Sequence, residues 1–321
     1  MSKLTICFAL MQIICGTGFS QSLSLIKLGE TFRRTNLEVR WNVPTNALPG
    51  TVWVYHLLPR WFPPEAVSNL VASCGFTERD KKISSADEVV YKNANKFPSK
   101  QLGISRFQGS IYFEDNSVHY SATNLAKDVP IMSQMPELTT NFLLALGINP
   151  SEIEKNADGI PNFHFWEPFT QYYVGNTSVT NIQFRAVSFR RSVDGGTFLG
   201  GGTGGDGLIK FGEHGKIVHM DISWRNIERF KSYPAATPEQ IVKWICEGKA
   251  VLSPIPDNVP PIDWQTVKSA TIKRVVLAHY AGDRFKPSDS LMPLVSLLTT
   301  VDTGNGSIDV EIECPIIDES K

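Results

Sequence analysis

Apolar and polar side chains alternate most clearly along Ile217–Trp224, which is typical of a strand with one buried face. The apolar positions are Val218, Met220, Ile222 and Trp224, and the polar positions are His219, Asp221 and Ser223. A shorter apolar segment covers residues 208–211, and residues 212–215 between the two segments include two glycines. Two extended segments around a short gap that contains glycine predict a β-hairpin.

The same kind of pattern predicts further elements along the chain. Strands are predicted at Thr51–Leu58, 182–191, 271–280, 294–301 and 307–313, and a second hairpin at 109–113 with 118–122. Helices are predicted after Pro63, over 136–147, and from Thr237, where Thr-Pro-Glu-Gln forms a capping box. Residues 163–173, interrupted by Pro168, predict an edge strand or an irregular connection. Residues 22–42 and the polar stretch that ends at Lys100 carry no predicted element.

The order of these elements predicts an α+β fold. Helices separated by runs of sequential strands favour antiparallel sheets that helices cover on one face. We therefore predict two units, each an antiparallel β-meander packed on one or two helices. The predicted boundaries are 1–20 for a signal peptide, 21–130 for the N-terminal α+β unit and 131–321 for the C-terminal α+β unit.

The glycine-rich run over residues 200–207 invites interpretation as a phosphate-binding loop. Neither a Gly-Lys-Ser/Thr sequence nor a helix start follows it, and a predicted strand does. Because the helix dipole that favours anions is missing, the run predicts a flexible turn between strands.

Composition limits the possible classes of protein. The chain has 321 residues, of which 42% are hydrophobic and 20% charged, with a formal net charge of -1. These values are typical of a globular protein of roughly two domains. The near-neutral balance argues against a nucleic-acid partner, which usually meets a basic face.

The N-terminus has the pattern of a secretory signal. Lys3 is followed by an apolar run over residues 4–14 and by Gly18-Phe19-Ser20, a small-x-small cleavage sequence. We therefore predict a secreted or periplasmic protein without a transmembrane segment in the mature chain. The alternative is a membrane anchor formed by the uncleaved N-terminus.

Three cysteines remain after residue 20, namely Cys74, Cys246 and Cys314. An odd number at wide spacing excludes a dense disulfide framework, and it leaves open either one bridge or three free thiols. The chain contains no Cys-x-x-Cys, so neither a redox motif nor a cysteine zinc site is supported.

A family resemblance rests on three segments of sequence. They are V-S-F-R-R-S-V-D-G-G-T-F-L-G at 187–200, G-L-I-K-F-G-E-H-G-K-I-V at 207–218, and Tyr233-Pro234 followed by T-P-E-Q-I-V at 237–242. This succession resembles PepSY-like modules of secreted bacterial proteins, in particular the two-domain extracytoplasmic regulators of sensor kinases of the YycH/YycI type. The resemblance implies a regulatory or binding role, including peptidase inhibition. Those regulators keep a membrane anchor, whereas this chain has a predicted cleavage site.

Candidate binding residues are aromatic side chains beside prolines in predicted loops, where exposed rings anchor interfaces. They are Trp61, Phe62, Phe163, Phe165, Trp166, Tyr172 and Tyr173. His214, His219 and Asp221 are the candidate metal ligands, since histidine and carboxylate bind zinc. The polar face of an amphipathic strand already explains them, so we predict no metal site and no cofactor.

No sequence motif supports a catalytic residue, because His-Glu-x-x-His and Gly-x-Ser-x-Gly are both missing from the chain. We therefore predict a non-enzymatic binding or regulatory protein with a protein or peptide partner. One alternative is an extracytoplasmic hydrolase acting on glycan or peptide, and a further alternative is a peptidase inhibitor.

Overall fold

The structure is a computed structural model, and it describes residues 27–35, 37–93, 99–117, 120–174, 176–199, 204–253, 262–283 and 286–317. The predicted signal peptide lies outside the described residues. The helices are α1 Leu28–Thr35, α2 Pro64–Ser73, α3 Met135–Ala145 and α4 Pro238–Cys246.

The strands up to the centre of the chain are β1 Glu38–Trp41, β2 Thr51–Leu58, β3 Lys81–Ser84, β4 Glu88–Lys92, β5 Lys100–Ser105, β6 Ser110–Asp115, β7 His164–Trp166, β8 Thr170–Val174, β9 Thr177–Asn181 and β10 Arg185–Arg190. The remaining strands are β11 Ser192–Val193, β12 Gly196–Leu199, β13 Gly205–Phe211, β14 Ile217–Trp224, β15 Asn226–Pro234, β16 Val251–Leu252, β17 Ser269–Asp283, β18 Lys286–Asp302 and β19 Ser307–Pro315.

The predicted fold class is wrong. The described residues are mostly β, with 49% strand and 19% helix, and two of the sheets are large rather than short meanders. One sheet is mixed, since β1 and β12 both pair with β17 in parallel. The PepSY-like arrangement of two small α+β units is therefore not the fold of this chain. The prediction failed because strands pair over long separations in sequence, as β14 does with β6, and a local pattern does not reveal such partners.

The larger compact unit comprises Pro44–Thr237, Val275–Ser296 and Pro315–Lys321. Its main sheet has eight strands in the order β3-β4-β5-β6-β14-β13-β10-β7, and every neighbouring pair is antiparallel. One face of this sheet packs on α2 and α3. Buried residues of that core include Leu70 and Leu143 from the helices and Phe113, Ile209 and Met220 from the sheet. Among the described residues, no helix of this core packs on the opposite face.

The smaller unit comprises the described residues within 27–43, 238–274 and 297–314. In it α1 contacts α4, β1 pairs with the beginning of β17, and β16 pairs with β19. The approach of α1 to the end of α4 requires glycine, because a Cβ on Gly29 would lie 2.1 Å from the backbone nitrogen of Gly248. The long strands β17 and β18 contribute residues to both units.

Several element predictions are confirmed. The hairpin of β13 and β14 is antiparallel and one face of β14 is buried, as the alternation indicated. The strand Thr51–Leu58 has the predicted bounds, and helices occur after Pro63, near residues 136–147 and after Thr237. Each of these three helices has proline in its first turn, where a backbone N–H would have no hydrogen-bond partner within the helix. Within residues 163–173, β7 is the edge strand of the eight-stranded sheet.

Other element predictions are wrong. β6 forms its hairpin with β5, through residues 106–109, rather than with residues 118–122, of which 118 and 119 lie outside the described residues. The stretch before Lys100 contains β3 and β4, and residues 22–42 contain α1 and β1. These elements were missed because they are short and carry few apolar side chains. β15 was missed because seven of its nine residues are exposed, so it carries few buried apolar side chains.

The glycine-rich run is also different from its prediction. Residues 200–203 lie outside the described residues, but Gly205 and Gly207 belong to β13. A Cβ on Gly207 would lie 2.2 Å from Cζ of Phe189, its partner on β10, and a Cβ on Gly205 would lie 2.3 Å from Cγ of Phe198. The two glycines therefore make room for buried aromatic rings, which pack over the strand where its side chains are missing.

We expect Gly207→Ala to destabilise the protein by about 1–3 kcal/mol, because the added methyl group overpacks a buried site against the Phe189 ring. Urea denaturation of both proteins measures the change. The matched control is Gly103→Ala on β5 of the same sheet, where a Cβ would meet nothing within 4 Å. Equal stability of the two variants would contradict this account of the glycine run.

Candidate functional site

The face of the eight-stranded sheet that lies opposite α2 and α3 carries polar side chains on seven of its eight strands, β3 being the exception. We call it the polar face. Its members alternate with the core residues of the same strands, as expected for extended chains. They include Glu88, Gln101, Ser110, Tyr112, Glu114, His164, Trp166, Ser188, Arg190, Asp206, Lys210, His219, Asp221 and Ser223.

Strand register places these side chains in rows across the sheet. One row runs from His164 through Ser188, Leu208 and Asp221 to Tyr112. A second row contains Arg190, Asp206, Ser223 and Ser110. Neighbouring strands are about 4.8 Å apart. Each row therefore presents one polar side chain on nearly every strand that it crosses.

A cavity of about 520 Å³ lies on the polar face. Its walls come from β7, β10, β13 and β14, together with the segment before β7. The lining residues are Glu154, Asn162, His164, Trp166, Ser188, Phe189, Arg190, Asp206, Gly207, Leu208 and Asp221. This volume is in the range of small-molecule pockets, which span roughly 300–1,000 Å³.

Glu154 is fixed in this cavity by its neighbours. Its backbone nitrogen donates to the Arg190 carbonyl at 2.8 Å, and the Thr197 hydroxyl donates to its Oε1 at 2.8 Å. Trp166 stands at the sheet edge with its ring 5.8 Å from that of His164. The cavity thus has a carboxylate acceptor fixed by hydrogen bonds, Glu154, and an aromatic wall, Trp166.

A second cavity of about 190 Å³ adjoins the first through Asp221, and its walls continue across β14, β6, β5 and β4. Beside it, His219 makes an edge-to-face contact with Tyr112 at 5.9 Å, and the Tyr112 hydroxyl donates to Glu114 at 2.8 Å. Burial, aided by the charge of Lys210, holds the pKa of His219 below its ordinary value, so the imidazole is neutral at neutral pH. The two cavities together form a polar groove that crosses most of the sheet.

A different polar cluster lies away from the groove, around Asp194. Tyr55 donates to Asp194, and Arg229 Nη2 lies 3.0 Å from each carboxylate oxygen of Asp194. Asp194 and Gly195 both have positive φ, which is the geometry of a two-residue hairpin turn between β11 and β12. Burial raises the pKa of Asp194, but the hydrogen bonds from Tyr55 and Arg229 lower it by more. The pKa is therefore below its ordinary value, and the carboxyl is ionised at neutral pH. Through Asp194, the cluster links the turn of this hairpin by hydrogen bonds to Tyr55 on β2 and Arg229 on β15.

The predicted aromatic residues occupy different environments. Trp166 lines the large cavity, and Tyr173 is 75% exposed on β8. Trp61 is 44% exposed, with the Arg106 guanidinium 5.7 Å from its ring. Phe62 is only 2% exposed and belongs to the core, so it is not a surface anchor in this structure. The three remaining candidates are partly buried: Phe163 and Phe165 pack on the core, and the Tyr172 hydroxyl accepts from Gln183.

The three candidate metal ligands do not line one cavity. His219 and Asp221 lie side by side on the polar face, whereas His214 lies in the turn before β14. Nδ1 of His214 is 3.6 Å from an Asp128 carboxylate oxygen, and these two residues line a separate cavity of about 410 Å³. Among the described residues, no group of three or more histidine, cysteine, aspartate or glutamate side chains is arranged to hold a metal ion.

The cysteines, for which the sequence left two alternatives, are all free thiols in this structure. Burial raises the pKa of Cys74 and of Cys314 to about 12, so neither forms a reactive thiolate at neutral pH.

Sequence reasoning missed several residues of the groove, notably Glu154, Ser188, Arg190 and Asp206. The predicted hairpin contained part of the signal, since Asp206 is the cross-strand neighbour of Ser223 and alternates with the two buried glycines of β13. Glu154 carries no comparable signal, because a bridge between Ile153 and Arg191 in the folded chain brings it to the cavity.

No protein-family model matches the chain, and no curated protein matches it. Among solved structures, the chain is similar to an uncharacterized protein from Eubacterium rectale, with a TM-score of 0.44 and 12% identity over 86% of each chain. None of the helices in the described ranges has the length and apolar character needed to cross a membrane.

Proposed function

We propose that this protein is a non-enzymatic binding protein that acts outside the cytoplasm and holds a peptide or protein segment on its polar face. The observation that carries this proposal is the groove, in which ordered polar side chains and Trp166 surround a cavity of about 520 Å³. The proposed extracytoplasmic location rests on the predicted signal sequence at residues 1–20. A regulatory role like that of the extracytoplasmic kinase regulators remains part of this proposal, although their PepSY-like fold does not.

The groove suits an extended polar chain better than a compact apolar ligand. Its rows of donors and acceptors cross the strands, so successive polar groups of an extended ligand meet successive strands. Trp166 supplies the large flat contact that anchors binding surfaces at low cost in side-chain entropy.

A hydrolase is the second candidate function, and one observation favours it. Ser188 and His164 are cross-strand neighbours, and both line the cavity that also contains Asp206. Serine, histidine and carboxylate are the components of nucleophilic catalysis. We place this candidate second because Ser188 and His164 make no hydrogen bond to each other in the structure, and because His214 lies in a different cavity from Asp221. Peptidase inhibition, the third candidate, rests on the family resemblance alone.

We expect Trp166→Ala to weaken binding of a purified partner by about 30-fold or more, which corresponds to the loss of one anchoring aromatic side chain of about 2 kcal/mol. The partner is obtained by affinity capture from an envelope fraction with the chain starting near Gln21. Binding is then measured by titration calorimetry with the wild type and the variant.

Trp61→Ala is the matched control, because Trp61 is an exposed tryptophan that does not line the groove. Loss of binding in Trp61→Ala with full binding in Trp166→Ala would refute the groove as the site. If the captured molecule is instead cleaved, and Ser188→Ala abolishes that cleavage, the hydrolase replaces the binding protein as the proposed function.

A further inference from the structure

β8 and β9 form a two-stranded ribbon, and among the described residues neither strand pairs with a strand of the two large sheets. The strands pair in register from Thr170 opposite Asn181 to Val174 opposite Thr177, without a bulge. Within the described ranges, no other strand pairs with either of them. Each strand therefore has one side without a strand partner in the described ranges, although Asn181 at the end of β9 is buried and its side chain accepts a hydrogen bond from the Ala126 backbone nitrogen. A strand side of this kind can pair with another chain.

The ribbon carries no charge. Residues 168–184 contain no aspartate, glutamate, lysine or arginine, although charged residues make up 20% of the chain. Its outward face consists of exposed Gln171, Tyr173, Ser178 and Thr180. Tyrosine with small hydroxyl and amide side chains is the composition of protein-binding surfaces that form many contacts at low entropic cost.

Three other edge strands of the described chain, β15, β3 and β7, are protected against pairing. β15 is longer than the ribbon strands, but it has a bulge between Arg229 and Lys231 and carries charged side chains on both sides of it. β3 has Lys81 and Lys82 together with a bulge. β7 has only three residues and is followed by Glu167 and Pro168. Short length, bulges, lysine and proline are the usual devices that prevent edge-to-edge association, and the ribbon has none of them within its strands.

We propose that the ribbon is a self-association element, through which two copies of this chain join edge to edge into a four-stranded intermolecular sheet. In a two-fold symmetric contact a strand pairs with its own copy, so residues near the axis meet themselves. A charged side chain there would face a like charge, which destabilises cross-strand pairs. A ribbon free of charge over 17 successive residues satisfies this requirement of self-pairing, whereas a different partner would accept complementary charges.

Sedimentation equilibrium of the full chain over a range of concentrations tests this inference. We expect a monomer–dimer equilibrium for the wild type. We also expect one of two double variants, Gln171→Lys with Tyr173→Lys on β8 or Ser178→Lys with Thr180→Lys on β9, to raise the dimer dissociation constant at least about tenfold. The variant that does so identifies the pairing strand. These side chains are exposed, so the monomer keeps its fold, which circular dichroism checks.

The matched control is Asn226→Lys with Ser232→Lys on the protected edge β15, which adds the same charge and leaves dimerisation unchanged. Hydrogen exchange gives an independent measurement, since ribbon amides become protected as the concentration of the wild type rises. A wild type that remains monomeric at about 100 μM, a weak affinity for a specific contact, overturns the inference. Dimerisation that neither ribbon variant weakens also overturns it.

Discussion

Replacement of Arg225 by methionine is expected to destabilise the protein by about 3 kcal/mol, because two backbone carbonyls lose their donor at about 1–3 kcal/mol each. The Arg225 side chain is 3% exposed. Its guanidinium donates to the Leu57 carbonyl, to the Ser288 carbonyl at 2.9 Å and to the Asp289 carboxylate at 3.0 Å. Methionine fills similar space but leaves those buried carbonyls without their donors, which is the larger part of the loss.

Urea denaturation measures this change, and an unchanged slope of free energy against urea shows that the folded state, rather than the unfolded one, is affected. Arg40→Met is the matched control. Arg40 also pairs with a carboxylate, that of Glu38 at 2.7 Å, but this pair is exposed to solvent, so we expect no measurable change in stability. Equal effects at the two positions would show that the buried network around Arg225 does not stabilise the fold.

Acidification from pH 6.5 to pH 4 is expected to destabilise the protein by up to about 3 kcal/mol through His279 alone. The side chain is 1% exposed, its Nδ1 has no hydrogen-bond partner in the described part of the chain, and its ring lies 5.4 Å from that of Tyr55. Burial lowers its pKa to about 4, although the Asp194 carboxylate favours the charged form. Between these two pH values the unfolded chain binds the proton and the folded chain does not, so stability falls as pH falls, and the contribution of His279 changes little below pH 4.

His279→Gln, which is uncharged over this range, is expected to show a flatter dependence of unfolding free energy on pH between 4 and 6.5. The comparison with the wild type removes the contribution of His219, whose pKa is also lowered. If the variant does not fold, an NMR titration of the wild-type His279 imidazole supplies the answer. A midpoint near pH 6.5 would contradict a buried neutral histidine.

The pattern along the sequence was sufficient where one strand or helix defines its own buried side. The β13–β14 hairpin and the polar residues His219 and Asp221 followed from alternation with Met220 and Ile222. The helix after Thr237 followed from its capping sequence and its apolar stripe. These features depend on neighbours within a few residues, and local backbone geometry alone sets which side chains share a face.

The groove itself was only half visible in the sequence. One wall, on β14, was recognised as a polar face, and Trp166 was selected as an aromatic candidate. Ser188, Asp206 and Glu154 joined them only through register and through contacts between distant segments. The sequence also did not determine which aromatic side chains are exposed, since Trp61 is 44% exposed and the adjacent Phe62 is 2% exposed.

The sequence by itself determined most helices, the central hairpin and the lack of a dense cysteine framework. The tertiary structure decided the fold class, the long-range strand order, the arrangement of the groove and the buried positions of Arg225 and His279. The physical reason is the range of the interactions. Alternation, capping and turn formation act within a few residues, whereas sheet pairing and burial join residues such as Leu57 and Arg225 that are 168 positions apart.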